Sequence, residues 1–212
     1  MKNKSTYIML GVGLLLQLIT FIITKDTWLA FISGIAGVVS VVFCSERRMS
    51  YYIWSFIQII TFSIICWNEQ LWGKMIENLF YLITLFIGVY VWKKNISWWN
   101  NKVTTRSIPD WSCWKPGIYM VAFVGFLILY FIFDITNDPY PALDAASTSF
   151  ALTAQVLMVL RYKENWIMWF ITDVICILLF TVTENWCMAI QYVFWMINTL
   201  YGYIQWDKGI KG

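Results

Sequence analysis

Two tryptophans and one carboxylate recur at helical spacing in an apolar stretch towards the C-terminal end of the chain. Trp166, Trp169 and Asp173 lie at i, i+3 and i+7. In a helix this spacing brings the three side chains onto one face, with the two rings one turn apart and the acid about a turn deeper. The pattern predicts one half of a binding site for a small molecule.

Each of these side chains also has a simpler explanation. Tryptophans near the end of a hydrophobic segment often lie at the headgroup level of a membrane, and Trp166 fits that role as well. Asp173 fits it poorly, because it lies in mid-segment between Phe170 and Leu179. A carboxylate at bilayer depth costs about 2.5–3.5 kcal/mol on insertion scales. We therefore expect Asp173 to face the protein interior.

The composition indicates an integral membrane protein. Of the 212 residues, 60% are hydrophobic and 13% charged, against about 45–50% and 25% in a soluble domain. No basic run with exposed aromatics suggests nucleic acid. The five cysteines are isolated and histidine is absent, so no disulfide framework, metal site or cofactor is expected. No activated nucleophile or phosphate loop is recognisable, which argues against an enzyme.

Apolar runs of membrane-spanning length predict an all-α protein with eight transmembrane helices. The predicted spans are 7–24, 28–44, 51–67, 73–92, 117–134, 141–160, 165–183 and 186–206. With these spans, all of the 15 Lys and Arg residues except Lys25 and Lys74 fall on one side. The positive-inside rule then predicts that both termini are cytoplasmic.

The chain also contains an internal repeat. When the chain is aligned with itself so that Tyr51 matches Trp166, the basic turns at Arg47 and Arg161 nearly coincide. When one residue is then dropped from the alignment, Gly88 matches Gly202. We interpret 28–92 and 141–206 as two parallel three-helix repeats, as in certain transporters. The remaining parts are an extra helix in 1–27, a cytoplasmic loop and linker helix in 93–140, and a cytoplasmic tail in 207–212.

Further polar and aromatic side chains within the spans are candidates for the same site. In the last helix Gln191, Trp195 and Asn198 form a stripe on one face, and Tyr81 lies on the corresponding stripe of the first repeat. The other candidates are Trp54, Gln58 and Gln155. Packing between helices is the alternative role, because small and polar residues there exchange hydrogen bonds across helix interfaces.

The sequence resembles the PnuC family of bacterial vitamin transporters over nearly its whole length after the first helix. The resemblance is carried by Ser33-Gly34-Ile35-Ala36-Gly37-Val38, by Glu164-Asn165-Trp166-x-x-Trp169-x-x-x-Asp173 and by Tyr201-Gly202-Tyr203-x-x-Trp206. It implies a facilitator for nicotinamide riboside (vitamin B3, a precursor for NAD biosynthesis) in the bacterial inner membrane, with a three-plus-one-plus-three, SWEET-like design. It also implies that Trp166, Trp169 and Asp173 bind the substrate, which a cytoplasmic kinase then traps by phosphorylation.

The chemistry of the residues agrees with a cationic ring as the substrate. A permanently positive pyridinium over an aromatic face gains about 0.5–2 kcal/mol per contact, and Asp173 offsets the same charge. The amides of Gln58, Gln155, Gln191 and Asn198 suit a carboxamide and a sugar. Thiamine is an aromatic cation too, and family relatives for thiamine, riboflavin or deoxynucleosides remain alternatives.

The sequence leaves three function classes: a facilitator, a proton-coupled carrier with Asp173 as relay, and an intramembrane enzyme. We expect the facilitator, with a substrate channel along the interface of the two triplets that opens alternately to each side as one triplet rocks against the other. The expected partners are the small-molecule substrate and the lipid bilayer. A homo-oligomer is compatible with the sequence.

Overall fold

The computed structural model describes residues 4–25, 27–68, 72–98, 100–109 and 112–210. These residues form eight helices and no strand longer than an isolated bridge. The helices are α1 (Lys4–Thr24), α2 (Trp28–Ser45), α3 (Tyr51–Asn68), α4 (Trp72–Lys93), α5 (Trp114–Ile135), α6 (Pro141–Val159), α7 (Asn165–Val182) and α8 (Trp186–Ile210). The all-α prediction is confirmed, and α8 continues past its predicted end at 206.

The helix ends follow local sequence signals. Thr27 caps α2, because its hydroxyl oxygen accepts a hydrogen bond from the Ala30 N–H at 3.2 Å. Pro141 begins α6, with Asp144 in its first turn, where the positive end of the helix dipole favours a carboxylate. A residue in the left-handed conformation follows five of the helices, a common way to end a helix. These residues are Lys25, Arg47, Asn137, Arg161 and Glu184.

The chain divides into two compact units, Met1–Thr104 and Thr105–Gly212. In the first unit α1 packs on α2, α2 on α3 and α3 on α4; in the second α5 packs on α6, α6 on α7 and α7 on α8. The helix predicted as a linker thus packs against the next helix of its own unit, α6, as α1 does against α2. The division into two three-helix repeats stays a prediction.

The repeat itself is visible in the structure without a dropped residue. The residue numbers differ by 114 between Tyr52 and Trp166, between Gly88 and Gly202, and between Trp92 and Trp206. In both units the first of these aromatic rings lies over the glycine and meets the second ring edge to face. The counterpart of Trp166 is therefore Tyr52, and the predicted pairing with Tyr51 was one residue off.

The turn before the third helix of each unit is held by the segment that follows α4. The Arg47 carbonyl accepts a hydrogen bond from the Val103 N–H at 3.0 Å, and the Arg161 carbonyl accepts one from the Arg106 N–H at 2.8 Å. Both arginines are buried, and burial lowers the pKa of each guanidinium. These main-chain bonds fix the start of α3 and of α7.

Buried Glu46 ties together three parts of the first unit. Its Oε1 accepts a hydrogen bond from the Thr6 hydroxyl of α1 at 2.9 Å. Its Oε2 pairs with Lys102 Nζ at 2.6 Å. A carboxylate that is 1% exposed is tolerated there because both of its oxygens are occupied.

Six of the eight described helices are long and apolar enough to cross a membrane by length and composition, namely all except α3 and α8. Tyrosine, tryptophan and amide side chains lower the mean hydropathy of those two. In α8 several of these polar groups are buried, among them Gln191, Asn198 and Thr199. By contrast, α5 leaves almost its entire apolar surface exposed, as a helix facing lipid does.

Candidate functional site

Trp166 lies at the beginning of α7 and packs towards α8. Its ring meets Trp206 edge to face, with centroids 5.7 Å apart and an interplanar angle of 85°. The side chain is 4% exposed, yet its Nε1–H has no hydrogen-bond acceptor among the residues that the structure describes. A buried indole usually finds a partner, so this N–H is available to a ligand.

The start of α7, which orients Trp166, is fixed by several polar contacts. Glu164 Oε1 accepts hydrogen bonds from the Ser107 hydroxyl at 2.8 Å and from the Ile108 N–H at 3.0 Å. Lys163 Nζ binds Asp207 Oδ1 at the end of α8 at 2.6 Å. The hydrogen bond to Asp207 raises the pKa of the Lys163 ammonium. None of these tertiary contacts follows from periodicity in the sequence.

Trp169 packs in a different direction from Trp166. It lies half-buried against a cluster formed by Ile108, Ala154, Leu157 and Met168. Three residues turn a helix of 3.6 residues per turn by about 60° less than a full circle. Trp166 thus contacts α8, whereas Trp169 contacts residues of α6. That the two rings share one face and one binding site stays a prediction.

Asp173 is buried in the second unit, as the sequence predicts. Its side chain is 3% exposed, and Oδ2 accepts a hydrogen bond from the Thr199 hydroxyl of α8 at 2.9 Å. Thr199 was not predicted. The signal was present, since Thr199 lies at i+8 from Gln191 and so shares the face of the predicted stripe.

The remaining candidates of the second unit are on α6 and α8. Gln155, Gln191 and Asn198 are all buried. Trp195 is half-buried and meets Tyr192 edge to face at 4.8 Å, and its Nε1–H has no acceptor. The second unit therefore contains three buried amides, one buried carboxyl group and two indole N–H groups without an acceptor among the described residues.

The candidates of the first unit have neighbours that explain them by packing. Gln58 lies against Gly37 and accepts a hydrogen bond from the Ser40 hydroxyl at 3.4 Å. The Tyr81 hydroxyl donates to Glu77 Oε1 at 2.8 Å, while Trp54 is half-buried on α3. At the offset of 114 residues that relates the two units, Gln58 corresponds to Thr172 and not to Asp173.

In the part of the chain that the structure describes, no three His, Cys, Asp or Glu side chains are placed to hold a metal ion. The candidate side chains of the second unit offer hydrogen bonds, aromatic rings and the carboxyl group of Asp173.

Known proteins are similar to this chain over most of its length. The family described as Nicotinamide mononucleotide transporter matches residues 27–208. The nicotinamide riboside transporter PnuC of Haemophilus influenzae is 31% identical over 206 residues, which cover 95% of this chain and 89% of that protein. Its namesake in Neisseria mucosa is 26% identical, over 98% of this chain and 82% of the relative.

A solved structure is similar over nearly the full length. The crystal structure of the vitamin B3 transporter PnuC superposes with a TM-score of 0.82 at 25% identity, covering 99% of this chain and 93% of that one. These relatives are transporters and not enzymes. The chain is a multi-pass membrane protein that belongs to the Nicotinamide mononucleotide transporter family.

Proposed function

We propose that the protein transports nicotinamide riboside across the bacterial inner membrane. The observation that carries the proposal is the 31% identity over 95% of the chain to a nicotinamide riboside transporter. The substrate joins a cationic pyridinium to a carboxamide and a ribose. Asp173 supplies a buried negative charge for the ring, at a depth where an unmatched carboxylate is costly.

The aromatic side chains of the second unit complete the proposed site. Trp166 and Trp169 supply ring faces for the cation, and the free Nε1–H groups of Trp166 and Trp195 supply donors. Gln155, Gln191 and Asn198 suit the carboxamide and the hydroxyls. Gln58 and Tyr81 have a weaker claim, because each has a hydrogen-bond partner within the first unit. Trp54 lies with them in that unit.

We propose further that transport is facilitated diffusion by alternating access, with the substrate trapped by a cytoplasmic kinase. If the site binds the riboside but rejects its phosphorylated form, the phosphorylated product cannot leave the cell through the transporter. This cycle requires neither ATP nor a coupled ion, because the concentration gradient of the riboside drives uptake.

Counterflow in vesicles that contain only this protein tests the function. Vesicles preloaded with unlabelled riboside should accumulate labelled riboside without ATP or an ion gradient. Asp173→Ala should abolish the accumulation, whereas Asp134→Ala, which removes an exposed carboxylate of α5, should leave it unchanged. Accumulation that depends on a pH gradient would favour a proton-coupled carrier, and a chemically altered product would favour an enzyme.

The proposed orientation has its own test. Cysteines introduced at Lys25, Asn101 and Asn137 occupy exposed positions with the same left-handed backbone conformation, so their folding costs are matched. In a Cys113→Ser background, an impermeant thiol reagent outside intact cells should label the first and third and spare the second. Labelling at Asn101→Cys would overturn the cytoplasmic placement of both termini.

A further inference from the structure

Gly202 lies directly against the ring of Trp166. A Cβ added at Gly202 would be 2.6 Å from Cε2 and Cζ2 of that indole and 2.7 Å from Cη2. Real Cβ atoms do not approach other atoms so closely, so something must shift when a side chain is added. The contacted atoms belong to a rigid bicyclic ring and not to the flexible tip of a side chain.

The Trp166 indole is closely packed, so it cannot move away from an added methyl group without changing its orientation. Trp166 is 4% exposed, and the Trp206 ring against which it packs is fully buried. The Trp206 carbonyl accepts a hydrogen bond from the Thr105 hydroxyl at 2.6 Å. The Lys163 ion pair with Asp207 holds the beginning of α7 to the end of α8. Glycine at 202 is therefore the residue that makes the observed ring position sterically allowed.

We propose that Gly202 is a positioning residue for substrate binding, which acts by fixing the plane of the Trp166 indole and the direction of its unpartnered Nε1–H. The inference rests on the proposed function, because it assigns Trp166 a contact with the ligand. Gly202 itself touches no substrate. Its effect passes through Trp166.

The first unit supplies a matched control. Gly88 lies against Tyr52 as Gly202 lies against Trp166: a Cβ there would meet the Tyr52 hydroxyl oxygen most closely and would be 2.9 Å from Cε1 of the ring. Tyr52 meets Trp92 edge to face, with centroids 5.1 Å apart. Alanine at 88 therefore causes the same kind of clash in the unit that lacks a counterpart of Asp173.

The experiment measures KM and maximal rate of riboside uptake in vesicles, together with the melting temperature, for Gly202→Ala and Gly88→Ala. A displaced, off-rotamer tryptophan should raise KM by about tenfold in Gly202→Ala and leave the maximal rate largely unchanged. Gly88→Ala should lower the melting temperature comparably and leave KM at the parental value. A purely structural role for Gly202 would move the melting temperature alone.

A double-mutant cycle shows whether Gly202 acts through Trp166. Trp166→Phe removes the indole atoms that the added methyl group would meet, so adding Gly202→Ala to that variant should change KM by less than about twofold. If Gly202→Ala alone fails to fold, the double variant restores folding. Failure of the double variant to fold would show that another contact, and not the indole, excludes the side chain.

The outcomes separate the two claims. A parental KM in Gly202→Ala, additive effects in the cycle, or an equal rise of KM in Gly88→Ala would overturn the positioning role while leaving the transport function intact. If the parent protein neither binds nor transports the riboside, the proposed function is wrong and the positioning claim fails with it.

Discussion

The two units of the chain share a packing arrangement and differ in chemistry. Each buries an aromatic ring against a glycine, Tyr52 against Gly88 in the first and Trp166 against Gly202 in the second. That ring meets a second one edge to face, Trp92 in the first unit and Trp206 in the second. The ring pairs meet at nearly the same angle, 83° and 85°. The packing of α3 on α4 thus resembles the packing of α7 on α8, although tyrosine stands at 52 where tryptophan stands at 166.

The difference lies about two helical turns after the first ring of each pair, at residues 59 and 173. Asp173 of the second unit is buried and bonded to Thr199, whereas its counterpart Ile59 is apolar and buried. In the first unit Asn78 donates to the Ile59 carbonyl at 2.8 Å, a bond between backbone and side chain that joins α3 to α4. Packing alone therefore does not require a carboxylate here, which supports a binding role for Asp173.

The largest expected effect comes from removing that carboxylate. Asp173→Ala should lower uptake of the riboside by about 10- to 100-fold, the loss expected for an interaction with a charged group. Its positional counterpart, Ile59→Val, should leave uptake near the parental rate. Uptake assays in vesicles at equal protein content check both. Equal rates in parent and Asp173→Ala, with both folded, would remove Asp173 from the site.

Thr199→Val should have a smaller effect. It deletes the hydroxyl that donates to Asp173 and leaves a side chain of similar shape, so KM should rise by about three- to tenfold. Thr84→Val is the control, because the Thr84 hydroxyl donates hydrogen bonds to the Phe80 and Tyr81 carbonyls of its own helix. Similar KM values for the two variants would mean that the bond to Asp173 has no part in binding.

The ion pair at the end of α8 should contribute modestly to stability. Lys163 and Asp207 are 17% and 32% exposed, and Lys163→Met should lower the free energy of unfolding by about 0.2–1 kcal/mol. Because the hydrogen bond raises the pKa of Lys163, its contribution is complete below the ordinary lysine pKa and is lost as the pH rises through the raised value.

The stability difference between parent and Lys163→Met should therefore stay constant from neutral pH and fall away above about pH 10.4. Lys208→Met, at an exposed lysine of the same helix end, is the control. Thermal unfolding at several pH values measures the difference. A difference that grows with pH would contradict the assigned pairing.

Tyr52→Phe should have the smallest effect. The Tyr52 hydroxyl is buried without a hydrogen-bond partner, so its removal relieves an unsatisfied polar group and should leave the melting temperature unchanged or slightly raised. Uptake should remain parental. A clear loss of uptake would show that the Tyr52 hydroxyl of the first unit also binds the substrate. The two units would then differ less in function than proposed.

The sequence predicted the elements well because each depends on local information. The length of an apolar run sets a membrane helix, so the eight predicted spans differ from the observed helices mainly at their ends. The predicted helix start at 141 agrees with Pro141, a residue that favours the first turn of a helix. Asp173 was correctly placed in the interior, since the cost of burying a charge in lipid is independent of the detailed fold.

Contacts between distant residues escaped prediction. Tyr51 and Tyr52 are chemically alike, so only the contact of Tyr52 with Gly88 fixes the register of the repeat. The spacing of Trp166 and Trp169 did not show which helices they contact: Trp166 meets Trp206 of α8, and Trp169 packs on a cluster that includes Ala154 and Leu157 of α6. The bonds from Ser107 and Ile108 to Glu164 have no periodic signal, because they join a loop to a helix start more than fifty residues away.

Titration calorimetry of the purified protein with nicotinamide riboside tests the central claim most directly, with nicotinamide mononucleotide and thiamine as controls. The account predicts saturable binding of the riboside, no binding of the phosphorylated form, and loss of binding in Asp173→Ala. Binding of thiamine instead would change the substrate and leave the site in place. Riboside binding that persists unchanged in Asp173→Ala would contradict the site, and no binding by the parent would contradict the proposed function.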